Sequence, residues 1–170
     1  MKLKNLLASS VIALGLAAAS FANAEDLKVK ITPSLASVTV KHNGKDVKIM
    51  RNQDNKNTVN SAFAPTSRNC PPFCINPISL GHGVETIGEV EMLDYLKRMS
   101  DGDKSILVID SRTPDWVERG TIPGSINLPW TKLNPAKGAD PISIADIMTK
   151  QFGVKEMEGL WDYSDAKTLV

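Results

Sequence analysis

The sequence predicts an α/β protein: a parallel sheet flanked by helices, preceded by a small β-hairpin extension. Three stretches carry that prediction. Ile106-Leu107-Val108-Ile109 is an unbroken apolar run, the pattern of a short strand buried on both faces. Just before it, Met92, Leu93, Leu96 and Met99 recur at the spacing of one helical face, which marks a core-facing amphipathic helix. Near the start, Asn43-Gly44 separates two alternating runs, and this dipeptide favours a two-residue type I′ hairpin turn. At 170 residues the chain fits one domain with an appendage. A formal net charge of +1 offers no electrostatic argument for nucleic acid or an anionic membrane as partner.

In chain order, Lys2 and Lys4 form a basic start, Leu6 to Phe21 is apolar and rich in small residues, and Ala22-Asn23-Ala24 is an A-x-A pattern. Together these read as a secretory signal peptide over 1–24, cut after Ala24 and directing the chain to a bacterial periplasm. The alternative is an uncleaved N-terminal anchor. After cleavage the reading expects no membrane association, since no later segment is long and apolar enough to cross a bilayer.

Residues 25–82 read as a β-rich extension and linker. Leu27, Val29 and Ile31 alternate with polar residues, the period of a half-buried strand. Ser37 to Met50 reads as the hairpin, with Val40 opposite Val47 and Val38 opposite Ile49. His42 and Lys45 flank the turn and are expected in solvent. A hairpin is marginal alone, so it must pack on the domain that follows. Gln53 to Asn69 is a polar linker. The chain's two cysteines follow, in Asn69-Cys70-Pro71-Pro72-Phe73-Cys74. Three roles fit Cys70 and Cys74: a disulfide bracing the linker, a redox-active or sulfur-accepting pair, or free or intermolecular thiols. A zinc site lacks two further ligands at a zinc-module spacing. A c-type haem is unsupported, because Cys74 is followed by Ile75. No metal or organic cofactor is called for. His82, between two glycines, reads as a loop residue.

Thr86-Ile87-Gly88-Glu89 has the capping-box pattern, so the helix is expected to start there and run to about Ser100. The apolar strand ends at Asp110, with Arg112 just beyond. Ligands in open α/β sheets bind outside such strand ends. Pro114 suits a first helical position, and Asp115, Glu118 and Arg119 form a solvated face. Gly120, Pro123 and Gly124 force a reversal into a second short strand, Ile126 to Leu128. A further helix is expected near Ser143, presenting Ile144, Ile147, Met148 and Phe152 on one face and stopping at Gly153. Trp161 to Lys167 reads as a turn, and Thr168-Leu169-Val170 as the start of another buried strand.

The stretch Val108-Ile109-Asp110-Ser111-Arg112, then Trp116, then Gly120-Thr121-Ile122-Pro123-Gly124-Ser125-Ile126-Asn127-Leu128-Pro129 resembles the N-terminal signature of rhodanese-like sulfurtransferase domains. That family usually has His at the place of Thr121 and Ala at the place of Ser125. The resemblance covers 83–170 as the N-terminal part of such a domain. It implies a rhodanese-like parallel sheet, incomplete here. It also implies transfer of sulfane sulfur from a donor such as thiosulfate to a thiophilic acceptor, through a persulfide on a cysteine. The partners implied are a small sulfur-containing anion and a thiol acceptor. In the family that cysteine opens the loop after the next central strand, which here begins at Thr168. No cysteine follows Cys74, so no residue of this chain is assigned as nucleophile. The reading expects a fragment cut before that loop; the alternative is a natural chain ending at Val170 and inactive as a sulfurtransferase. Asp110 and Arg112 are candidates for substrate-side support, since Arg suits oxyanions through bidentate hydrogen bonds. A structural ion pair tying the strand end to nearby loops is the competing role. Two other functions stay open: a non-catalytic binding module on the same fold, and a thiol–disulfide protein acting through Cys70 and Cys74.

Overall fold

The computed structural model describes residues 27–56, 66–83 and 85–170. The signal-peptide reading and its cleavage at Ala24 lie outside the described residues. Strand β1 (Ser37–His42) pairs antiparallel with β2 (Lys45–Met50), in the register Val38↔Ile49 and Val40↔Val47 expected of the hairpin. Asn43 and Gly44 both have positive φ, 49° and 77°, as a type I′ turn requires. Helix α1 (Glu89–Ser100) follows. Next come β3 (Ile106–Leu107) and β4 (Ile109–Asp110), two pieces of one extended run.

That run lies between two parallel neighbours. On one side β3 pairs with β8 (Thr168–Leu169), and the Ile109 N–H continues the ladder to the Val170 carbonyl at 2.7 Å. On the other side β4 pairs with β5 (Ile126–Asn127), and the Ile126 N–H reaches the Val108 carbonyl at 2.9 Å. Alternation then divides the core. Ile106 and Val108 face a cluster with Ile31, Val38, Val40, Leu93 and Leu96. Leu107 faces Leu128, Phe152 and Val154. The apolar run is therefore buried on both faces, and the hairpin shares one core with helix and sheet. Leu96, fully buried at the centre, contributes about 2–3 kcal/mol by burial alone. A hydrogen bond from the Lys41 N–H to Ser100 Oγ, 2.7 Å, ties β1 to the end of α1.

Several expectations need correction. Leu27 to Ile31 is not a strand, although Val29 and Ile31 are buried. The Gln53 side-chain amide bonds both the N–H and the carbonyl of Val29, and the Cys70 N–H takes the Ile31 carbonyl. A side chain thus does what a neighbouring strand would do, and no ladder forms. The capping box at Thr86 is not made either. The Thr86 hydroxyl is bound to the backbone of Ile78, and α1 starts three residues later with Gly88 as N-cap. Gly88 is needed there, since a Cβ would fall 2.7 Å from the Ile75 carbonyl.

Short helix α2 (Pro114–Val117) begins on proline as expected. Helix α3 (Pro141–Asp146) starts ahead of Ser143, because Asp140 caps it by accepting the Ser143 N–H at 2.9 Å. It runs on through a wider π turn, Ile147–Gln151, to Phe152 and to Gly153 at φ 77°. The stretch read as a turn begins inside a second hairpin, β6 (Lys155–Met157) with β7 (Leu160–Asp162), joined at Glu158-Gly159, and takes in only Trp161 and Asp162 of it. Strand β8 exists, but Thr168 and Leu169 are exposed rather than buried.

Candidate functional site

The sheet's carboxyl end delivers Asp110 at the tip of β4 and Arg112 two residues on. The Asp110 Oδ1 accepts from Arg112 Nε at 2.8 Å and from the Arg112 backbone N–H at 3.1 Å, while Oδ2 accepts from Arg112 Nη2 at 2.5 Å. This is the bidentate fork that guanidinium and carboxylate geometry favours. Thr121 Oγ1 donates a further bond to Oδ2 at 2.8 Å. Asp110's side chain is only 8% exposed, whereas Arg112's is 44% exposed. The Arg112 hydrogen bonds, helped by Thr121, hold the Asp110 carboxyl far below the usual carboxylate range despite the opposing cost of burial, and the same pairing raises Arg112.

Arg112 also donates from Nη2 to the Gly120 carbonyl at 2.7 Å. The Asn127 amide bridges the carbonyls of Asp110 and Arg112, each at 2.9 Å. Strand tip, reversal and second strand are thereby knitted together. Nε and Nη2 are committed inward, and among the described residues Nη1 has no hydrogen-bond partner. A cleft of about 550 Å³ opens beside the pair, lined by Met92, Ile109, Arg112, Thr121, Ile122 and Ser125 among others.

The reversal itself is polar inside. Thr121 Oγ1 lies 3.0 Å from Ser125 Oγ, which in turn reaches the Ile122 carbonyl at 2.7 Å. The two positions that depart from the family pattern, Thr121 and Ser125, are thus neighbours in one network. The sequence alone assigns neither of them a role. Their spacing of four within a tight reversal was the available signal.

Cys70 and Cys74 are joined as a disulfide with Cα atoms 4.7 Å apart. Cys70 is buried and Cys74 half-buried. Neither lines the Arg112 cleft. The bridged loop is anchored to α1 through Arg51, which donates to the Phe73 carbonyl and pairs with Glu89. Cys70, Cys74 and Glu89 have ligand atoms within 4.8 Å of one another, but the sulfurs are bonded together and offer no thiolate to a metal. A second, mainly apolar cleft of about 480 Å³ lies between this loop and the first, sharing Met92, Thr121 and Ile122 with it. Sequence reading missed the roles of Arg51 and His42. His42 was expected in solvent but is half-buried, and its Nδ1 accepts the Gly124 N–H at 3.0 Å.

A parallel strand ending on an acid–arginine pair and closed by a reversal through Gly120, Pro123 and Gly124 defines an α/β type of domain. Residues 92–158 match the family model of the Rhodanese-like domain, and the chain carries a rhodanese-like domain over that stretch. No match was found among curated proteins or among solved structures.

Proposed function

We propose that this chain is part of a rhodanese-like sulfurtransferase that moves sulfane sulfur from a donor such as thiosulfate to a thiophilic acceptor. The observation that carries the reading is the family match over 92–158, whose signature ends β4 on Asp110 and Arg112 beside an open cleft. Arg112 supports the donor anion there, its Nη1 supplying hydrogen bonds while Asp110, Thr121 and Gly120 hold the rest of the guanidinium still. In the reaction a cysteine thiolate attacks the outer sulfur of thiosulfate. The S–S bond breaks, sulfite leaves with the electron pair, and a persulfide remains. The acceptor thiolate or cyanide then takes that sulfur and restores the cysteine thiolate. Cys70 and Cys74 are bonded to each other, so this reading places the carrier cysteine outside residues 1–170. No organic cofactor enters the chemistry.

The test is the natural gene product, purified from its source and incubated with thiosulfate and cyanide. Thiocyanate release, with one extra sulfur atom found by mass spectrometry on a cysteine other than Cys70 or Cys74, is the expected result. A second reading, a non-catalytic rhodanese-fold binding module, is favoured by the absence of a free cysteine among the described residues. Lack of both thiocyanate and persulfide would replace the first reading with this one. The proposed location is the periplasm, supported by the A-x-A pattern ending at Ala24 and by a disulfide suited to an oxidising compartment. Among the described residues no helix is long and apolar enough to cross a membrane. An uncleaved N-terminus, or absence of the protein from the osmotic-shock fraction, would count against that location.

A further inference from the structure

The N-terminal hairpin meets the signature reversal at one point that depends on a histidine. Gly124 is buried at φ 93°, and a Cβ there would lie 3.2 Å from Leu96 Cδ2 and 3.6 Å from both the Lys41 carbonyl and Val40 Cγ2. The reversal is therefore pressed directly onto β1 and α1. Its Gly124 N–H donates to His42 Nδ1, across 82 residues of chain, and no other acceptor for it is shown among the described residues. A buried N–H left without an acceptor is costly.

An imidazole can accept at Nδ1 only when neutral, with its proton on Nε2. Nε2 lies 3.3 Å from the Asn43 amide, whose oxygen can take that proton once the amide is oriented for it. When the ring gains a second proton, Nδ1 becomes a donor and faces another donor. We propose that His42 is a pH-sensitive latch: neutral, it holds the hairpin on the Gly120–Gly124 reversal, and protonated, it releases it. The same reversal carries Thr121, whose hydroxyl braces Asp110, so release loosens one wall of the Arg112 cleft. The latch stands whether or not the sulfurtransferase reading holds.

Charged groups on the surrounding elements do not replace the lost bond. In the hairpin, Lys41 pairs with Asp46 at 2.6 Å, and Lys45 stands opposite His42. At the end of α1, Lys97 pairs with Asp101 and Arg98 with Asp103. The reversal from Gly120 to Ser125 carries no titratable side chain, and Asp110 behind it is taken by Arg112. Asp46, Asp101, Asp103 and Asp110 are thus already engaged.

The experiment is amide hydrogen exchange at Gly124 in the whole protein, expressed as a protection factor so that the intrinsic pH dependence of exchange drops out. Histidine changes charge between pH 5 and 8. Between those limits wild-type protection is expected to fall at least about ten-fold as the pH is lowered, the loss of one hydrogen bond plus an orphaned donor. His42→Asn places a neutral, non-titrating oxygen near Nδ1 and is expected to keep its protection across the range. A wild-type protection factor that does not change with pH, or an equally steep fall in His42→Asn, would overturn the latch. Imidazole ¹⁵N shifts of the wild type at pH 8 serve as the second measurement. A proton on Nδ1 rather than Nε2 would refute the proposal even if the variant failed to fold.

Discussion

Gly124→Ala is the substitution that tests how the hairpin and the rhodanese-like domain are joined. Two costs are expected. The first is conformational: φ at Gly124 is 93°, and an L-residue held at positive φ loses about 1–2 kcal/mol relative to glycine. The second is steric. The new methyl would sit 3.2 Å from Leu96 Cδ2, and Leu96 is fully buried and cannot swing into solvent. Overpacking of this kind costs about 1–3 kcal/mol. Gly138→Ala separates the two. Gly138 has nearly the same φ, 89°, but nothing within 4 Å of its Cβ position, so only the conformational cost applies. Urea denaturation of wild type and both variants is the assay. Gly138→Ala is expected to lose about 1–2 kcal/mol, and Gly124→Ala about 2–5 kcal/mol, with unchanged m-values. Equal losses for the two variants would refute the close packing of the reversal on the hairpin, and with it the shared core.

Two further outcomes are expected. Asp110 has a carboxyl held well below its ordinary value, chiefly by hydrogen bonds from Arg112. The sign follows from linkage: its stabilising effect is complete above the ordinary Asp pKa of about 3.9 and is lost only as the pH falls from there toward the lowered folded value. A ¹³C titration will therefore find this carboxylate still ionised at about pH 3, and Asp110→Asn will remove the corresponding part of the acid sensitivity. A carboxyl titrating near the ordinary value would mean that the fork with Arg112 does not persist in solution. Cys70 and Cys74 are separated by four positions. Closing so short a loop restrains the unfolded chain only modestly, so Cys70→Ser with Cys74→Ser is expected to cost about 2 kcal/mol, read as a lower denaturation midpoint. A much larger loss would show that the bridge also holds Arg51 on the Phe73 carbonyl in a way that folding requires.

Much of the architecture was determined by local sequence, because those features depend on local interactions. Asn43-Gly44 selects its turn by backbone preference alone, and strict alternation then dictates which of Val38, Val40, Val47 and Ile49 meet. Ile106 to Ile109 carries apolar side chains on both faces of a strand, so a buried parallel position follows wherever the neighbours come from. The Gly120-Thr121-Ile122-Pro123-Gly124 signature marks the family for the same reason: its φ demands are met by few residue types.

Tertiary structure decided the rest. Val29 and Ile31 alternate like a strand, yet Gln53, far along the chain, supplies the backbone's partner and no strand forms. Thr86 reads as a cap, but the returning Ile78 backbone takes its hydroxyl, and the approach of Ile75 hands the N-cap to Gly88. His42 reads as a solvated turn residue until Gly124 is brought against it. Thr121 and Ser125 look like ordinary loop residues until the reversal places the Thr121 hydroxyl on the Asp110 carboxylate and the Ser125 hydroxyl beside Thr121. In each case a polar group finds a partner that only the path of the folded chain brings to it, and hydrogen bonds of that kind leave no periodic trace. The pairing of Asp110 with Arg112 lies between the two extremes. Their separation of two residues makes contact natural, but only the folded strand end commits three guanidinium hydrogen bonds inward and leaves the remaining edge beside the cleft.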